Sequence, residues 1–299
     1  MTLEEFTNRP MAAHPGMLGL FANSLRTGLR ARSADTVGET AVVEGVALID
    51  ISGLLTRGAS YAGTTYPQIK ALFAHAAADP AIIGIVLAVD SLGAELTDLF
   101  ETANYIYSLR DSKPIYAVAD PSFSGSYLLA SAASKVYVTC TGGTGSLGIV
   151  VAHVNTSQSL QNQGITVSLI HSGSKKIWGN SVSALDPGAR AELQAECDRL
   201  RNMLCDAVAR NRNTSVKTIL DTEAQCYFGS GGVKAGLADA VGTIDDAVAD
   251  ILATSGVTAR SSRYRQTERL KNKLVAMGGR STLTPAEGRR RIRALEGLN

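Results

Sequence analysis

Three short loops punctuated by glycine carry the residues of this chain that could do covalent chemistry. They are Asp90-Ser91-Leu92-Gly93-Ala94, Ser122-Phe123-Ser124-Gly125-Ser126-Tyr127 and Gly145-Ser146-Leu147-Gly148. A glycine just after a strand lets backbone N–H groups turn into a cleft, as an oxyanion hole requires. A serine at the start of a helix either caps it or acts as a nucleophile whose acyl-transfer intermediate the helix dipole stabilises. Local sequence does not choose among Ser122, Ser124 and Ser126. A hydroxyl nucleophile needs a base, and the histidines are His14, His75, His153 and His171. None of them stands in a strand-end motif with a companion acid, although His171 follows an apolar run. Lysine is the alternative base, provided that burial keeps its amine neutral. Lys175-Lys176, in Gly173-Ser174-Lys175-Lys176-Ile177-Trp178-Gly179-Asn180, is the pair at hand, and a solvated surface pair is its plainer reading.

The elements that must position these loops follow from apolar spacing. Continuous apolar runs predict strands over 45–52, 82–89, 114–118 and 135–139, with further strands over 147–153 and 166–170. Helical spacing predicts helices over 66–78, 95–109 and 127–133. A long helix is expected over 187–210, with Asp186 as cap and Pro187 in its first turn, followed by short helices at 215–220 and 245–253. Strand–helix alternation of this kind predicts an α/β fold with a parallel sheet flanked by helices. In such a sheet the carboxyl ends of the strands gather function, and all three loops fall there.

The chain has 299 residues, 45% hydrophobic and 19% charged, which suits a folded globular protein with a substantial core. Cys140, Cys197, Cys205 and Cys226 show no C-x-x-C spacing, which argues against a zinc site or a disulfide framework. The first ten residues lack a signal-peptide pattern and no apolar run reaches the roughly 20 residues of a membrane span, so a soluble, cytoplasmic protein is expected. The net charge of +2 divides into +8 over residues 260–299 and −6 elsewhere. The organisation expected is an N-terminal arm over 1–40 with an amphipathic stretch at 17–29, a domain over 41–255 and a basic tail over 256–299. Such a tail is either a solvated extension or a contact for an acidic protein surface or nucleic acid.

Taken in order, the motifs resemble those of the signal peptide peptidase A family of serine–lysine proteases, in the Clp protease/crotonase fold superfamily. The resemblance rests on Asp90-Ser91-Leu92-Gly93-Ala94, Ser124-Gly125-Ser126-Tyr127, Gly145-Ser146-Leu147-Gly148, Gly173-Ser174-Lys175-Lys176 and Gly236-Leu237-Ala238-Asp239-Ala240-Val241-Gly242, and spans about residues 42–255. The opening Arg9-Pro10-Met11-Ala12 to Leu29 and the Lys176 to Asn180 segment narrow it to phage head maturation proteases, the minor capsid protein C-like branch. Leu92 stands where the family has Pro, and Ala94 and Ser126 stand where it has Gly.

The resemblance implies a serine endopeptidase on a Clp protease/crotonase-like layered fold. It gives Ser124 the role of nucleophile and Lys176 that of general base, with Ser146 orienting the lysine amine. Backbone N–H groups of Gly93 or Ala94, with Gly125, would hold the oxyanion. No metal or organic cofactor is needed. The implied substrates are scaffold, portal or capsid proteins, bound extended along a strand edge, and the implied assembly is a ring-like homo-oligomer in which neighbours can complete each site. Three other readings stay open at this point: a signal-peptide-degrading peptidase of the same family, an acyl-CoA hydratase or thioesterase on the same fold, and a non-catalytic assembly protein.

Overall fold

The computed structural model describes residues 10–14, 40–58 and 63–255. The described residues up to Ile251 form one compact unit, and residues 252–255 belong to a second. The stretch over 17–29 and the basic tail lie outside the described residues.

The central sheet is built from β1 (Met11–Ala13), β2 (Ala41–Val43), β3 (Val46–Leu55), β4 (Gly84–Glu95), β5 (Ile115–Ser122), β6 (Lys135–Val138) and β9 (Ala240–Val241). Their order is β2-β3-β4-β5-β6-β9, with β1 added on β4. The run from β3 to β9 is parallel, and β1 and β2 join it antiparallel. β7 (Gly143–Gly145) and β8 (Cys226–Phe228) form a separate antiparallel ribbon. The α/β architecture with a parallel sheet and flanking helices is the one that the alternation predicts.

β3, β4 and β5 are the buried middle of the sheet. Ile49, Ile51, Ile85, Leu87 and Ile115 are fully buried, each worth roughly 1.5–3 kcal/mol of apolar transfer. Three helices cover them: α1 (Tyr66–Ala78), α2 (Leu99–Leu109) and α3 (Gly125–Ser131). α1 begins where Thr65 caps it in a reciprocal box with Gln68, with a proline in its first turn. It buries Tyr66, Ile69, Phe73 and Ala76, the stripe expected of a helix lying on a sheet.

Beyond β7 come α4 (Ser157–Asn162), the long α5 (Pro187–Asn211), α6 (Val216–Leu220), α7 (Ser230–Lys234) and α8 (Ile244–Thr254). Asp186 caps α5 as its sequence predicts, its Oδ1 accepting from the amides of Gly188 (2.7 Å) and Ala189 (3.1 Å). The Gly236–Gly242 motif feeds β9 onto β6, where the Asp239 carboxylate accepts from the Val136 amide at 2.7 Å and Arg212 grips both its oxygens at 2.8 Å.

Two expected strands are absent. Residues 147–153 hold no strand, only a single bridge between Val150 and Met11. Residues 166–170 form no ladder and lie exposed, Ile170 at 99%. Their apolar composition is that of a strand, but no neighbouring edge among the described residues takes up their hydrogen bonds. In the opposite direction, Met11–Ala13, read as part of an arm, pairs into the main sheet.

Candidate active site

The site forms where β4 and β5 end. β5 runs out at Ser122, and the chain turns through Phe123 and Ser124 into α3. Ser124 sits at φ 56°, ψ −120°, a conformation that costs a non-glycine residue of order 1–3 kcal/mol and marks functional turns. The strand–turn–helix context with a strained serine at its apex is that of a nucleophile elbow. The Ser124 amide donates to the Gly145 carbonyl at 2.8 Å, and its Oγ donates to the Gly148 carbonyl at 3.2 Å.

The structure separates the three serines that local sequence leaves equivalent. Ser126 Oγ donates to the carbonyls of Ser91 (2.9 Å) and Phe123 (2.8 Å), which straps the end of β4 to α3. Ser122 Oγ is buried without a partner among the described residues. Ser124 alone of the three has the positive φ.

Residues 90–94, expected as a loop, instead continue β4 to Glu95, because β3 and β1 take up their backbone on either edge, and this end of the strand packs directly on the turn. A Cβ at Gly125 would fall 2.6 Å from Ala94 Cβ and 3.0 Å from Leu99 Cδ2, so only glycine fits there. Gly93 has φ 151°, and its amide donates to Ser91 Oγ at 3.3 Å. Ser91 in turn donates to the Gly53 carbonyl at 2.7 Å, tying this end of β4 to β3. Ala94 is therefore packed on the Gly125 end of the turn, with Gly93 its neighbour along β4. Leu92 packs on the Met11, Ala13 and Leu54 cluster, and Ala94 is fully buried.

The Ser146 loop forms the other wall. Gly145 and Ser146 both take positive φ, 101° and 56°, and the Ser146 amide donates to the Gln225 carbonyl at 2.9 Å. The Ser146 side chain meets Cys226 rather than Lys176. Burial pushes the Cys226 thiol up, and a hydrogen bond with Ser146 opposes it. The expected contact between Ser146 and the lysine amine is thus not made within this chain.

Lys176 lies in an exposed turn, its amide donating to the Gly173 carbonyl at 3.1 Å. Its side chain has no hydrogen bond or ion pair among the described residues, so the structure does not bring it to Ser124. Lys175 is committed elsewhere, paired with Glu192 and set over the Trp178 ring at 4.9 Å. Two histidines on this side hold backbone carbonyls: His153 with Asn180 at 2.9 Å and His171 with Gly173 at 3.1 Å. Sequence reasoning passed over His14. Its ring stacks on Phe123 with centroids 5.2 Å apart, one residue from Ser124. No local signal marks it, because the contact is made by the pairing of β1.

Among the described residues, no group of three or more His, Cys, Asp or Glu side chains could hold a metal ion, and no helix is long and apolar enough to cross a membrane.

Comparison with known proteins gives one family match, peptidase family S49, over residues 108–258. Among curated proteins, the chain is 40% identical over 228 residues to capsid assembly protease C of Escherichia phage lambda, covering 74% of this chain and 52% of the relative. It is 36% identical over 220 residues to the head–tail preconnector protein GP5 of Enterobacteria phage P21, covering 72% and 44%. It is 25% identical over 173 residues to a putative signal peptide peptidase SppA of Enterococcus faecium, covering 57% and 50%. The chain spans about half the length of the curated relatives it matches. Among solved structures, a ClpP1 mutant from Listeria monocytogenes aligns with TM-score 0.42 and 10% identity, over 67% of this chain and 92% of that one.

Proposed function

The chain belongs to peptidase family S49, and from that premise we propose that it is a serine endopeptidase that cleaves proteins of an assembling phage head. The observation that carries the reading is the strained Ser124 turn, packed through Gly125 against Ala94 at the end of β4. The name of the lambda relative, a capsid assembly protease, supports scaffold, portal or capsid proteins as substrates. The working place would be the host cytoplasm and the prohead within it.

In this reading Ser124 Oγ attacks the scissile carbonyl, and the Lys176 amine takes the hydroxyl proton. The carbonyl oxygen becomes an oxyanion held by N–H groups of Gly93 or Ala94 and of Gly125. The lysine then returns the proton to the leaving amine, and water releases the acyl group by the same steps. Lys176 has to reach Ser124 for this, and its exposed position favours doing so across a subunit boundary. Ile165, Val167, Leu169 and Ile170, just upstream, are exposed apolar residues. Burying them against a second copy would also desolvate the amine, the condition that a lysine base needs. A ring-like homo-oligomer follows from this, with Ser146 free to orient the incoming lysine.

The test is incubation of wild type, Ser124→Ala and Lys176→Ala with head proteins of the same assembly, followed by gel and intact-mass analysis. Fragments from wild type alone are expected. Fragments that persist in Lys176→Ala would overturn the serine–lysine assignment. Intact oligomers that cut nothing would favour a non-catalytic assembly role.

A further inference from the structure

β1 is held on both edges. On one side it runs antiparallel to the end of β4, with Met11 opposite Glu95, Ala12 opposite Ala94 and Ala13 opposite Gly93. On the other, Met11 exchanges two hydrogen bonds with Val150, at 2.9 and 3.0 Å. The slot exists because β4 is longer than its neighbour. β5 leaves β4 at the Ser91–Ser122 pair, while β3 follows the opposite edge as far as Ala94. The edge of β4 beyond Ser91 is therefore open on the side where the Ser124 turn begins. Val150, downstream of the Ser146 loop, supplies the far wall. Both walls present main-chain groups, so an extended backbone of varied sequence satisfies them.

The strand also packs on the turn that holds the nucleophile, through Ala12 against Gly125 and His14 against Phe123. Met11 and Ala13 pack on Leu54, Leu92, Val150 and Ala152. Ala12 faces the other way, and a Cβ at Gly125 would come within 3.1 Å of Ala12 Cβ. Ser124 has 0% exposure beneath this arrangement. The His14 amide donates to the Leu92 carbonyl at 2.8 Å. Antiparallel alternation then makes Ala12–Ala94 the next hydrogen-bonded pair. The Ala94 N–H that the mechanism aims at an oxyanion is thereby committed to the Ala12 carbonyl.

We propose that this slot is the place where a substrate backbone lies, and that Met11–His14 fills it as an internal stand-in that must leave before cleavage. The proposal rests on the reading of Ser124 as nucleophile. It also states a substrate class: an extended segment with a small side chain at the place Ala12 holds, because Ala12 is fully buried opposite Ala94 and beside the Gly125 turn. A tethered strand competes at an effective concentration in the millimolar range, so the resting chain binds substrate weakly.

Peptide binding tests this with cleavage switched off. In a Ser124→Ala background, Met11→Pro removes the N–H given to Val150, and Ala12→Arg expels the strand through its side chain. A labelled peptide copying residues 9–14 is titrated into each protein and followed by fluorescence anisotropy, with a cooperative melt qualifying each variant. We expect either variant to bind at least about tenfold tighter than Ser124→Ala alone, and the same peptide with Leu in place of Ala12 to lose most of that affinity. Equal binding by variant and background, or binding by none, overturns the proposal. The Met11→Pro variant with Ser124 intact separates the two readings: peptide that binds but stays uncut removes the serine–lysine mechanism and leaves the slot standing.

Discussion

The amide of Ser124 donates to the carbonyl of Gly145 at 2.8 Å and its Oγ to that of Gly148 at 3.2 Å, joining the turn after β5 to the Ser146 loop. These bonds hold Ser124 at a φ of 56°, which a side chain tolerates poorly. Two substitutions separate the chemistry from the strain. Ser124→Ala and Ser124→Gly should both lose cleavage, by about a thousandfold or more for a nucleophile. Ser124→Gly should be the more stable of the two by roughly 1 kcal/mol, because glycine takes this conformation at little cost. Thermal melts of both proteins check it. A glycine variant that melts below the alanine variant would contradict the strain argument.

Lys175 and Lys176 are neighbours in sequence with opposite commitments. Lys175 is paired with Glu192 on α5 and sits over Trp178. Both partners of that pair are more than half exposed, so breaking it should cost little, about 0–1 kcal/mol. Lys175→Ala should therefore keep most of its cleavage rate, while Lys176→Ala should lose it. A head-protein digestion time course with equal enzyme amounts discriminates them. Loss with Lys175→Ala and retention with Lys176→Ala would reassign the base.

The parallel core and its helices were legible because their signals are local. The Ile82–Val89 run, the Tyr66–Ala78 stripe and the Asp186 cap each encode their own structure. Ser124 was picked out only through the resemblance in motif order, since local spacing leaves it equivalent to Ser122 and Ser126. β1 was not legible, since Met-Ala-Ala shows no alternation and is a strand only because the β4 edge and Val150 offer it partners. Residues 166–170 show the converse: their alternating apolar residues read as a strand, yet a strand needs an edge, and a single chain's sequence does not say whose. The commitment of Lys175 was hidden for a similar reason, because Glu192 lies 17 residues on.

Gly125 lies at the closest approach in the site. A methyl there would meet Ala94 Cβ at 2.6 Å and Leu99 Cδ2 at 3.0 Å, inside contact distance for both. Gly125→Ala should destabilise by about 1–3 kcal/mol through overpacking and push the Gly93–Ala94 end of β4 off the Ser124 turn. The expected result is a melting temperature several degrees lower, with a larger loss of cleavage than stability alone explains. Ser126→Ala is the comparison: it removes two hydrogen bonds to carbonyls from the same turn but adds no atom. It should cost about 1–2 kcal/mol with a smaller effect on rate. Equal rates for the two variants would show that the contact between Gly125 and Ala94 does not set the site.

Asp239 gives the fold an acid-sensitive joint between β6, β9 and the end of α5. Burial alone would raise its carboxyl, but hydrogen bonds from Arg212 and the Val136 amide overcome that and hold it below the usual carboxylate range. A carboxyl depressed in the folded state adds stability that is present above its unfolded value, near 3.9, and is lost as pH falls through the folded value. Arg212 is 8% exposed and Asp239 37%, so solvent screens part of the pair and about 1–2 kcal/mol is a suitable scale. Asp239→Asn keeps the shape and removes the charge. It should melt several degrees below wild type at pH 7, and the gap should narrow as pH drops below about 4. Melting curves of both proteins from pH 7 to 3 measure this directly. A gap that stays constant across that range would mean that the Asp239 charge contributes nothing beyond its hydrogen bonds.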